Sequence, residues 1–383
     1  MNAPQRMPAD EARSAVWRSA ERILCVRLDN MGDVLMTTPA LRALKTSAPG
    51  RHITLLAAPG GVAVTRHIPE IDDVVEYEAP WVKQPSDVAM DACDALVDRL
   101  YAGLYDAAVI FTVYSQSALP AALTCWLARI PLRLAYCREN PYQLLTDWTP
   151  DPEPHALVRH ETQRQLDLVA SVGCTTADTR LSFHPSAQDR HEARLKLTAA
   201  GINLHQPWIV VHPGASAESR RYPVEHYAKA VAVIGTANPH QFIVTGSATE
   251  APLARAVADS LPGRAHALAG AFGLGELGAV LQGAQLVICN NTGPAHIAAA
   301  VGTPVIDLYA LTNPQHAPWG VESRVLDHDV PCRFCYRSVC VQQHHDCLRL
   351  VTPQRVAEAA MELLARHGET TSVATHATAR EMA

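Results

Sequence analysis

The segment Val287–Val305, with the sequence VICNNTGPAHIAAAVGTPV, places the strongest constraint on the fold of this 383-residue chain. An apolar run ends at Cys289, and a polar loop follows it. Small residues from position 294 to 301 then favour a helix, and Gly302 suits its end. A second apolar run starts as the segment closes. The order strand, loop, helix, strand is typical of a parallel sheet in an α/β protein.

The loop that opens this helix predicts an anion site. Asn291 or Thr292 suits the N-cap position, and Pro294 suits the first helical turn. The backbone N–H groups and the positive end of the helix dipole would then point beyond the strand end. A phosphate is the expected ligand. An ordinary, well-capped strand-to-helix turn explains the same residues equally well at this point.

Composition excludes several classes of protein. A net charge of −6 with 18% charged residues argues against a general nucleic-acid binder, so we expect no nucleic-acid partner. No apolar run reaches the roughly 18 residues that a membrane-spanning helix needs. The N-terminal segment lacks the apolar centre of a signal peptide. We therefore expect a cytoplasmic protein.

The alternation of strand and helix patterns predicts two α/β domains in tandem. We predict a polar leader over residues 1–20, a first Rossmann-like domain with its linker over 21–185, a second over 186–367 and a disordered tail over 368–383. Within the first domain, the Pro-rich residues 138–160 are predicted to be a connecting segment. Ligands of such sheets bind beyond the carboxyl ends of the strands.

Asp33 follows the first predicted strand, Ile23–Leu28, and precedes an apolar helix over Val34–Lys45. One interpretation is that its carboxylate caps this helix. The other is that the carboxylate lies at the mouth of a cleft and acts as a base.

The second domain offers polar loops at corresponding places. Arg220 or Arg221 could pair with a diphosphate through the guanidinium fork, although a surface arginine pair is an equally good explanation. Glu250 could accept hydrogen bonds from ribose hydroxyls. The Walker A, dinucleotide-binding, zinc-protease and nucleophile-elbow motifs are missing. Asp327-His328-Asp329 has a metal-binding form, but a solvated turn is the favoured interpretation. Together these loops predict group transfer from a nucleotide-activated donor.

At this point the sequence resembles the family 9 glycosyltransferases, the heptosyltransferases of lipopolysaccharide core synthesis. Six segments carry the resemblance: RLDNMGDVLMTTPAL at 27–41, VVHPGAS at 210–216, RRYPVEHY at 220–227, TGSATE at 245–250, LAGAFGLGEL at 268–277 and NNTGPAHIAAA at 290–300. Each segment is short, but together they are specific.

The resemblance implies the GT-B fold, an α/β architecture of two Rossmann-like domains whose parallel sheets face an interdomain cleft. It implies an inverting transfer of heptose from ADP-heptose to a lipid-A-linked core oligosaccharide, with no metal or other cofactor required for catalysis. Asp33 matches the general base. Residues 21–185 would bind the acceptor, and residues 186–367 the nucleotide sugar.

The resemblance also assigns the donor-binding residues. Arg220 stands where the family usually has a lysine that neutralises the diphosphate, and Arg221 lies beside it. The remaining matches are a phosphate-binding hydroxyl, a ribose contact, a residue near the base and the donor loop: Ser216, Glu250, Phe272, Asn291, Thr292, Gly293 and His296. Asn291 departs from the family, which most often has Asp there. Its amide carries no charge and can donate as well as accept.

Four cysteines crowd into one segment: Cys332, Cys335, Cys340 and Cys347. Their spacing, with CxxC at the start, is compatible with a structural zinc or iron held by four thiolates. Such a site would leave no open position for catalysis. The alternatives are reduced thiols packed in a loop or a single disulfide.

Three further expectations concern partners and function. A membrane-linked acceptor implies peripheral contact with the inner membrane, for which the apolar and basic stretch Leu119–Arg138 is a candidate. A family 9 transferase with another nucleotide sugar or acceptor is the first alternative function. The second alternative function is a degenerate protein that binds a nucleotide sugar without turnover. The replacement of the usual Asp by Asn291 suggests this alternative.

Overall fold

The computed structural model describes residues 9–82 and 90–366. They form two compact units, divided between Ser182 and Phe183. The predicted tail over 368–383 and the first eight residues of the predicted leader lie outside the described residues.

Unit 1 contains six strands and six helices among its described residues. The strands are β1 Arg22–Arg27, β2 His52–Ala57, β3 Asp73–Glu76, β4 Ala107–Ile110, β5 Leu132–Cys137 and β6 Asp147–Pro150. The helices are α1 Ala9–Ser19, α2 Met31–Thr46, α3 Pro59–Thr65, α4 Met90–Ala102, α5 Leu119–Leu127 and α6 Glu161–Ala170.

The strands of unit 1 form one parallel sheet in the order β3-β2-β1-β4-β5-β6. β1 and β4 are apolar and buried along nearly their whole length, because helices cover both faces of an interior parallel strand. The strand order reverses between β1 and β4. That reversal opens a crevice beyond their carboxyl ends.

The predicted polar leader forms helix α1 from residue 9 onward, and this helix packs on unit 1. Trp17 is buried, and its Nε1 donates a hydrogen bond to Asp147 Oδ2 at 3.1 Å. Arg13 forms an ion pair with the same carboxylate at 2.6 Å. The predicted connecting segment 138–160 likewise contains β6, which extends the sheet as its edge strand.

Unit 2 repeats this architecture. Its strands are β7 Trp208–His212, β8 Gln241–Val244, β9 Ala265–Ala267, β10 Leu286–Asn290, β11 Val305–Leu308 and β12 Ser323–Leu326. Its helices are α7 Ala187–Ala199, α8 Val224–Ala237, α9 Ala251–Ala258, α10 Leu274–Gln282, α11 Gly293–Ala300, α12 Asp346–Arg349 and a last helix over 353–366. Three 3₁₀ helices cover Glu218–Arg220, Ala248–Glu250 and Pro314–His316.

The sheet of unit 2 has the order β12-β11-β10-β7-β8-β9 and is also parallel. Counted from its own first strand, this is the order of unit 1, so both units are doubly wound in the same way. The reversal here falls between β7 and β10. Ligands of unit 2 are therefore expected beyond His212 and Asn290.

Within the described residues, no helix has the length and apolar character that crossing a membrane requires. The predicted orientation of the two sheets toward a common cleft stays a prediction.

Candidate functional site

Asp33 lies in the first turn of α2, beyond the carboxyl end of β1. The helix begins at Met31, earlier than predicted, and its N-cap is Asn30; Asp33 Oδ2 accepts a hydrogen bond from the backbone N–H of Asn30 at 3.2 Å and so completes a capping box from the third helical position. The side chain is still 19% exposed. Capping therefore fixes the carboxylate without burying it, and the two interpretations of this residue are compatible.

Arg27 anchors the same carboxylate from below. Its guanidinium is fully buried and forms ion pairs with Asp29 at 2.9 Å, Asp33 at 3.2 Å and Glu161 at 2.7 Å. Burial lowers the pKa of Arg27, but the carboxylates of Asp29, Glu161 and Asp33 more than offset that effect and raise it. Arg27 therefore stays charged and holds carboxylates from one loop and two helices in fixed places.

A cavity of about 510 Å³ opens beyond β1 and β4 in unit 1. Aromatic, apolar and small polar side chains line it, and these include Trp81, Phe111, Ser115 and Gln116. None of the described lining residues is charged. Gln116 joins the cavity wall to the Arg27 cluster, because its Nε2 donates to Asp29 Oδ1 at 2.6 Å. This cavity suits a saccharide ring, which offers apolar faces and many hydroxyls.

In unit 2, the loop after β7 carries three of the predicted residues. Ser216 is exposed, and Arg220 ends the 3₁₀ helix Glu218–Arg220. Within the described part of the chain, Arg220 Nε is buried and has no hydrogen-bond partner. The exposed Arg221 instead donates from Nε to the carbonyl of Ala215 at 2.8 Å. Arg220 is therefore the better candidate for an anion contact.

Glu250 lies against this loop. Its Oε2 accepts hydrogen bonds from the backbone N–H and the hydroxyl of Ser247, both at 2.8 Å. Gly214 is the residue beneath it, since a Cβ there would collide with the Glu250 carboxylate. One carboxylate oxygen thus caps the 3₁₀ helix, and the other faces the β7 loop. Burial lowers the pKa of the neighbouring His212 to about 4, and the charge of Glu250 partly opposes this.

Asn290 ties the β7 loop to the loop after β10. Its Oδ1 accepts from the backbone N–H of Tyr222 at 2.9 Å and from the Tyr227 hydroxyl at 3.1 Å. Its Nδ2 donates to the carbonyls of Pro213 at 2.8 Å and Gly214 at 3.1 Å. The sequence placed this residue at a strand end but predicted no role for it. It holds the two predicted donor loops together.

The loop after β10 opens α11 as the sequence indicates. Thr292 is the N-cap residue, but its hydroxyl donates to the Asn290 carbonyl at 3.2 Å and makes no capping bond. Gly293 begins the helix, and His296 is buried within it. Because the Thr292 side chain makes no capping bond, the first-turn N–H groups of α11 can bind another acceptor.

Asn291 is buried under this loop. Its Nδ2 donates to Asp307 Oδ2 at 2.9 Å and to the His316 carbonyl at 3.0 Å. Burial raises the pKa of Asp307 to about 7, while the Asn291 hydrogen bond and the charge of Arg220 lower it. Neither Asp307 nor His316 was predicted from the sequence, because neither stands in a recognisable motif.

Phe272 lies half-buried in the loop between β9 and α10. Gly270 of the same loop packs against Ala248 of the 3₁₀ helix that ends at Glu250. The structure therefore brings the Phe272 loop to the edge of the other predicted donor residues.

The predicted four-thiolate metal site is not formed by the described residues. The four cysteines are free, and no group of three or more His, Cys, Asp or Glu side chains there is arranged to hold a metal ion. The thiols are near enough to affect one another: burial and the other three thiols raise the pKa of Cys347 to about 11. Without a cation such a cluster repels itself once ionised, so the chain alone provides no force that draws the sulfurs together.

The Asp327-His328-Asp329 sequence follows strand β12. Arg333 forms ion pairs with Asp327 at 2.6 Å and with Asp329 at 3.2 Å. Both carboxylates are thus paired with Arg333, which agrees with the interpretation of this sequence as a solvated turn and not a metal site.

The fold and these loops define a class: a two-unit α/β protein with a carboxylate beyond the strand ends of one doubly wound sheet and a cation with a helix start beyond those of the other. The sequence model of glycosyltransferase family 9 (heptosyltransferase) matches residues 94–345. The chain belongs to this family, and it is a glycosyltransferase. This confirms the family and the enzyme class that the sequence predicted.

Relatives and solved structures agree with this assignment. Lipopolysaccharide heptosyltransferase 2 of Salmonella typhimurium is 24% identical over 358 residues, which cover 91% of this chain and 99% of that protein. A family 9 glycosyltransferase from Veillonella parvula has a TM-score of 0.75 at 22% identity, covering 90% of this chain and 98% of that one. ADP-heptose lipopolysaccharide heptosyltransferase II of E. coli has a TM-score of 0.69 at 22% identity, covering 91% and 99%. These structures confirm the predicted α/β fold of two Rossmann-like units with parallel sheets.

Proposed function

We propose that this protein transfers heptose from ADP-heptose to a lipopolysaccharide core acceptor with inversion at the anomeric carbon, and that Asp33 is the general base. The names of its relatives in Salmonella and E. coli support the donor and the acceptor class. The observation that carries the role of Asp33 is its geometry. The carboxylate is fixed by Asn30 and Arg27 yet remains partly exposed, and a saccharide-sized cavity opens beyond the same strand end of β1.

In this mechanism the Asp33 carboxylate takes the proton of the acceptor hydroxyl as its oxygen attacks the anomeric carbon. The bond between that carbon and the diphosphate oxygen breaks, and ADP leaves with the electron pair. Attack on the face opposite the leaving group inverts the configuration. Arg27 shares its charge among three carboxylates. It therefore holds Asp33 through one oxygen and does not form a bidentate pair that would occupy both oxygens.

The charge on departing ADP is balanced by groups of unit 2. Arg220 offers an unpartnered Nε, and α11 offers its first-turn N–H groups. These groups can neutralise a diphosphate without a metal ion. We assign Ser216 to a phosphate contact, Glu250 to the ribose through its free oxygen, Phe272 to the base, and the Asn291–Gly293 loop with His296 to the sugar side.

The 510 Å³ cavity of unit 1 is the proposed acceptor site. Its lining combines the Trp81 ring with the hydroxyls and amide of Ser115, Ser117 and Gln116. Aromatic faces and small polar groups together are the usual recognition elements for sugars.

We also propose that an apolar surface of unit 1 touches the membrane that carries the acceptor. Exposed Tyr101, Leu104, Leu123, Trp126 and Leu127 lie on or beside the paired helices α4 and α5. Arg129, which stacks over the Tyr101 ring at 5.5 Å, adds positive charge. Vesicles containing anionic phospholipid should cosediment with the protein but not with its Trp126→Asp/Leu127→Asp variant. Equal cosedimentation of both would refute this contact.

The donor assignment is tested by thermal unfolding with ADP, UDP, GDP, dTDP and ADP-heptose. A ligand at 100 times its dissociation constant adds about 2.7 kcal/mol to the free energy of unfolding, which gives a visible rise in Tm. We expect a rise with ADP and ADP-heptose only. A rise with UDP or dTDP would favour another nucleotide sugar. No rise with any of the five would favour the degenerate alternative.

A further inference from the structure

Asp307 is a buried carboxylate that the proposed mechanism does not use. It lies in β11, an interior strand between β10 and β12, and is fully buried opposite Cys289 of β10. A carboxylate in such a place costs free energy unless other groups compensate it. Its contacts therefore indicate why the position is acidic.

The first contact is with Asn291 at the start of the donor loop. Both hydrogens of the Asn291 carboxamide are used, one by Asp307 Oδ2 and one by the His316 carbonyl. A flipped carboxamide would set its own oxygen against the His316 carbonyl, which can only accept, so the orientation is chemically determined. The carbonyl oxygen of Asn291 is then the only part of this side chain that can serve a ligand, and it can only accept.

The second contact is electrostatic and involves Arg220. The charge of Arg220 reaches Asp307, since it lowers the pKa of that carboxyl against the effect of burial. Within the described residues, Asp307 Oδ1 and Arg220 Nε are both buried without a hydrogen-bond partner. Asp307 therefore lies beneath the donor loop and within electrostatic range of the cation assigned to the diphosphate.

We propose that Asp307 is a positioning residue for donor-sugar recognition, which holds Asn291 so that its carbonyl oxygen accepts a hydrogen bond from a hydroxyl of the transferred sugar. The inference rests on the proposed function, because it takes this loop as the sugar side of the donor site. The acidic side chain belongs to strand β11 and not to the loop, so the loop presents a neutral acceptor beside a diphosphate.

This arrangement distinguishes the sugar from the nucleotide. A neutral carbonyl oxygen gains a hydrogen bond from a sugar hydroxyl and does not repel phosphate oxygens, as a loop carboxylate would. Loss of the arrangement should therefore weaken ADP-heptose and leave ADP nearly unchanged. The ratio of the two dissociation constants isolates this effect from general damage to the site.

The experiment measures the dissociation constants of ADP and ADP-heptose by calorimetry. In Asn291→Ala, and in Asp307→Leu, which removes the acceptor and keeps the branching at Cγ, we expect the preference for ADP-heptose over ADP to fall about tenfold, the effect of one lost hydrogen bond. Asp307→Asn should keep the preference within about twofold, because its own carbonyl can still accept from Asn291. The double variant Asn291→Ala/Asp307→Leu should match Asn291→Ala, since Asp307 acts through Asn291.

Thr303→Ala is the matched control. Thr303 precedes the same strand and is buried with a 2.8 Å hydrogen bond to the Leu281 carbonyl, so its loss should lower Tm without changing the preference. An unchanged preference in Asp307→Leu, or a double variant whose loss equals the product of the two single losses, would overturn the inference alone. A wild-type protein that binds neither ADP nor ADP-heptose would overturn the proposed function, and the inference with it.

Discussion

Two arginines of the candidate site differ in whether the protein itself supplies their partners. Arg27 is buried with three carboxylates, whereas Arg220 Nε is buried without a hydrogen-bond partner among the described residues. The first arrangement supports structure. The second leaves a cation whose partner is expected to arrive as a ligand.

Replacing Arg220 by Met should weaken ADP binding about 10- to 100-fold, because a hydrogen bond to a charged group contributes about 1.5–3 kcal/mol. Arg220→Lys should recover most of the affinity, since the charge remains. Arg221→Met serves as the control and should stay within about threefold of wild type. Calorimetric titration with ADP measures all three. Equal losses in the two Met variants would contradict the distinction between these arginines.

Asp307 should make stability fall as the pH rises. Burial raises its pKa from 3.8 to about 7, so the folded state holds the proton more tightly than the unfolded state does. The stabilisation is complete below pH 4 and is lost progressively up to pH 7. The full difference is about 4 kcal/mol, since one pKa unit corresponds to about 1.4 kcal/mol.

His212 acts in the opposite direction, because burial lowers its pKa from 6.5 to about 4 and its contribution is lost as the pH falls. The two effects partly cancel in the wild type. The measurement is therefore the difference in free energy of unfolding between wild type and Asp307→Asn. We expect the wild type to lose free energy of unfolding relative to Asp307→Asn as the pH rises from 4 to 7. A constant difference over that range would show that Asp307 does not titrate as described.

The residues that sequence alone could identify are those whose position along the chain fixes their place. Asp33 and Arg220 follow buried strands, so the loops beyond those strand ends were predictable. Other residues act through contacts that the sequence does not reveal. Arg27 and Asn290 each have a partner more than 60 residues distant, and Asp307 bonds to the loop after the neighbouring strand β10. A single sequence carries no pattern for such contacts.

At the level of elements, helix α1 shows how a polar segment can belong to a core. Its one buried aromatic side chain, Trp17, and the ion pair of Arg13 both reach Asp147, at the start of β6. Arg51 adds hydrogen bonds to the backbone at this helix end, including one to the Trp17 carbonyl at 2.5 Å. We infer that α1 contributes directly to the stability of unit 1.

Trp17→Ala should therefore lower the free energy of unfolding by about 3–5 kcal/mol, the usual cost of truncating a buried tryptophan. Trp126→Ala is the matched control. Trp126 is exposed in α5, so its loss should change stability by no more than about 0.5 kcal/mol. Denaturant unfolding followed by circular dichroism measures both. Equal effects of the two substitutions would contradict the packing of α1.

The strands that the sequence does not reveal are edge strands. β6, β9 and β12 lie at the margins of their sheets and are only partly buried. An edge strand needs no continuous apolar run and tolerates proline, as in Asp147–Pro150. The interior strands, such as β1, β4 and β10, were predictable because burial on both faces gives each a continuous apolar run, with polar residues only at its ends.

Across the whole molecule, two sheets with one strand order carry different chemistry. In unit 1 a fixed carboxylate and an uncharged cavity both lie beyond the carboxyl end of β1, and unit 2 places a cation and a helix start beyond its own strand reversal. The sequence predicted both sheets, whereas the strand order and the cavity required the structure, because they depend on contacts between distant segments. Acceptor and donor recognition should therefore be separable by mutation.

Trp81→Ala should raise the KM for the acceptor about thirtyfold, the effect of about 2 kcal/mol for an aromatic contact in a binding site. The dissociation constant of ADP should stay within about twofold, because ADP is assigned to unit 2. Trp148→Ala is the control, since Trp148 lies in β6 and does not line the cavity. Initial rates at saturating ADP-heptose measure the effect. An unchanged acceptor KM would contradict the assignment of this cavity as the acceptor site.

The most direct test of the central claim is turnover of ADP-heptose with a heptose-deficient core acceptor by wild type and Asp33→Asn, with ADP release and product mass as readouts. We predict that wild type forms a product with one added heptose, that Asp33→Asn lowers kcat by about 10³-fold, and that its affinity for ADP-heptose stays within about threefold. Asp106→Asn, which removes a carboxylate at the opposite end of the unit 1 sheet, should retain turnover. Near-normal turnover by Asp33→Asn, or no transfer by wild type, would contradict the account.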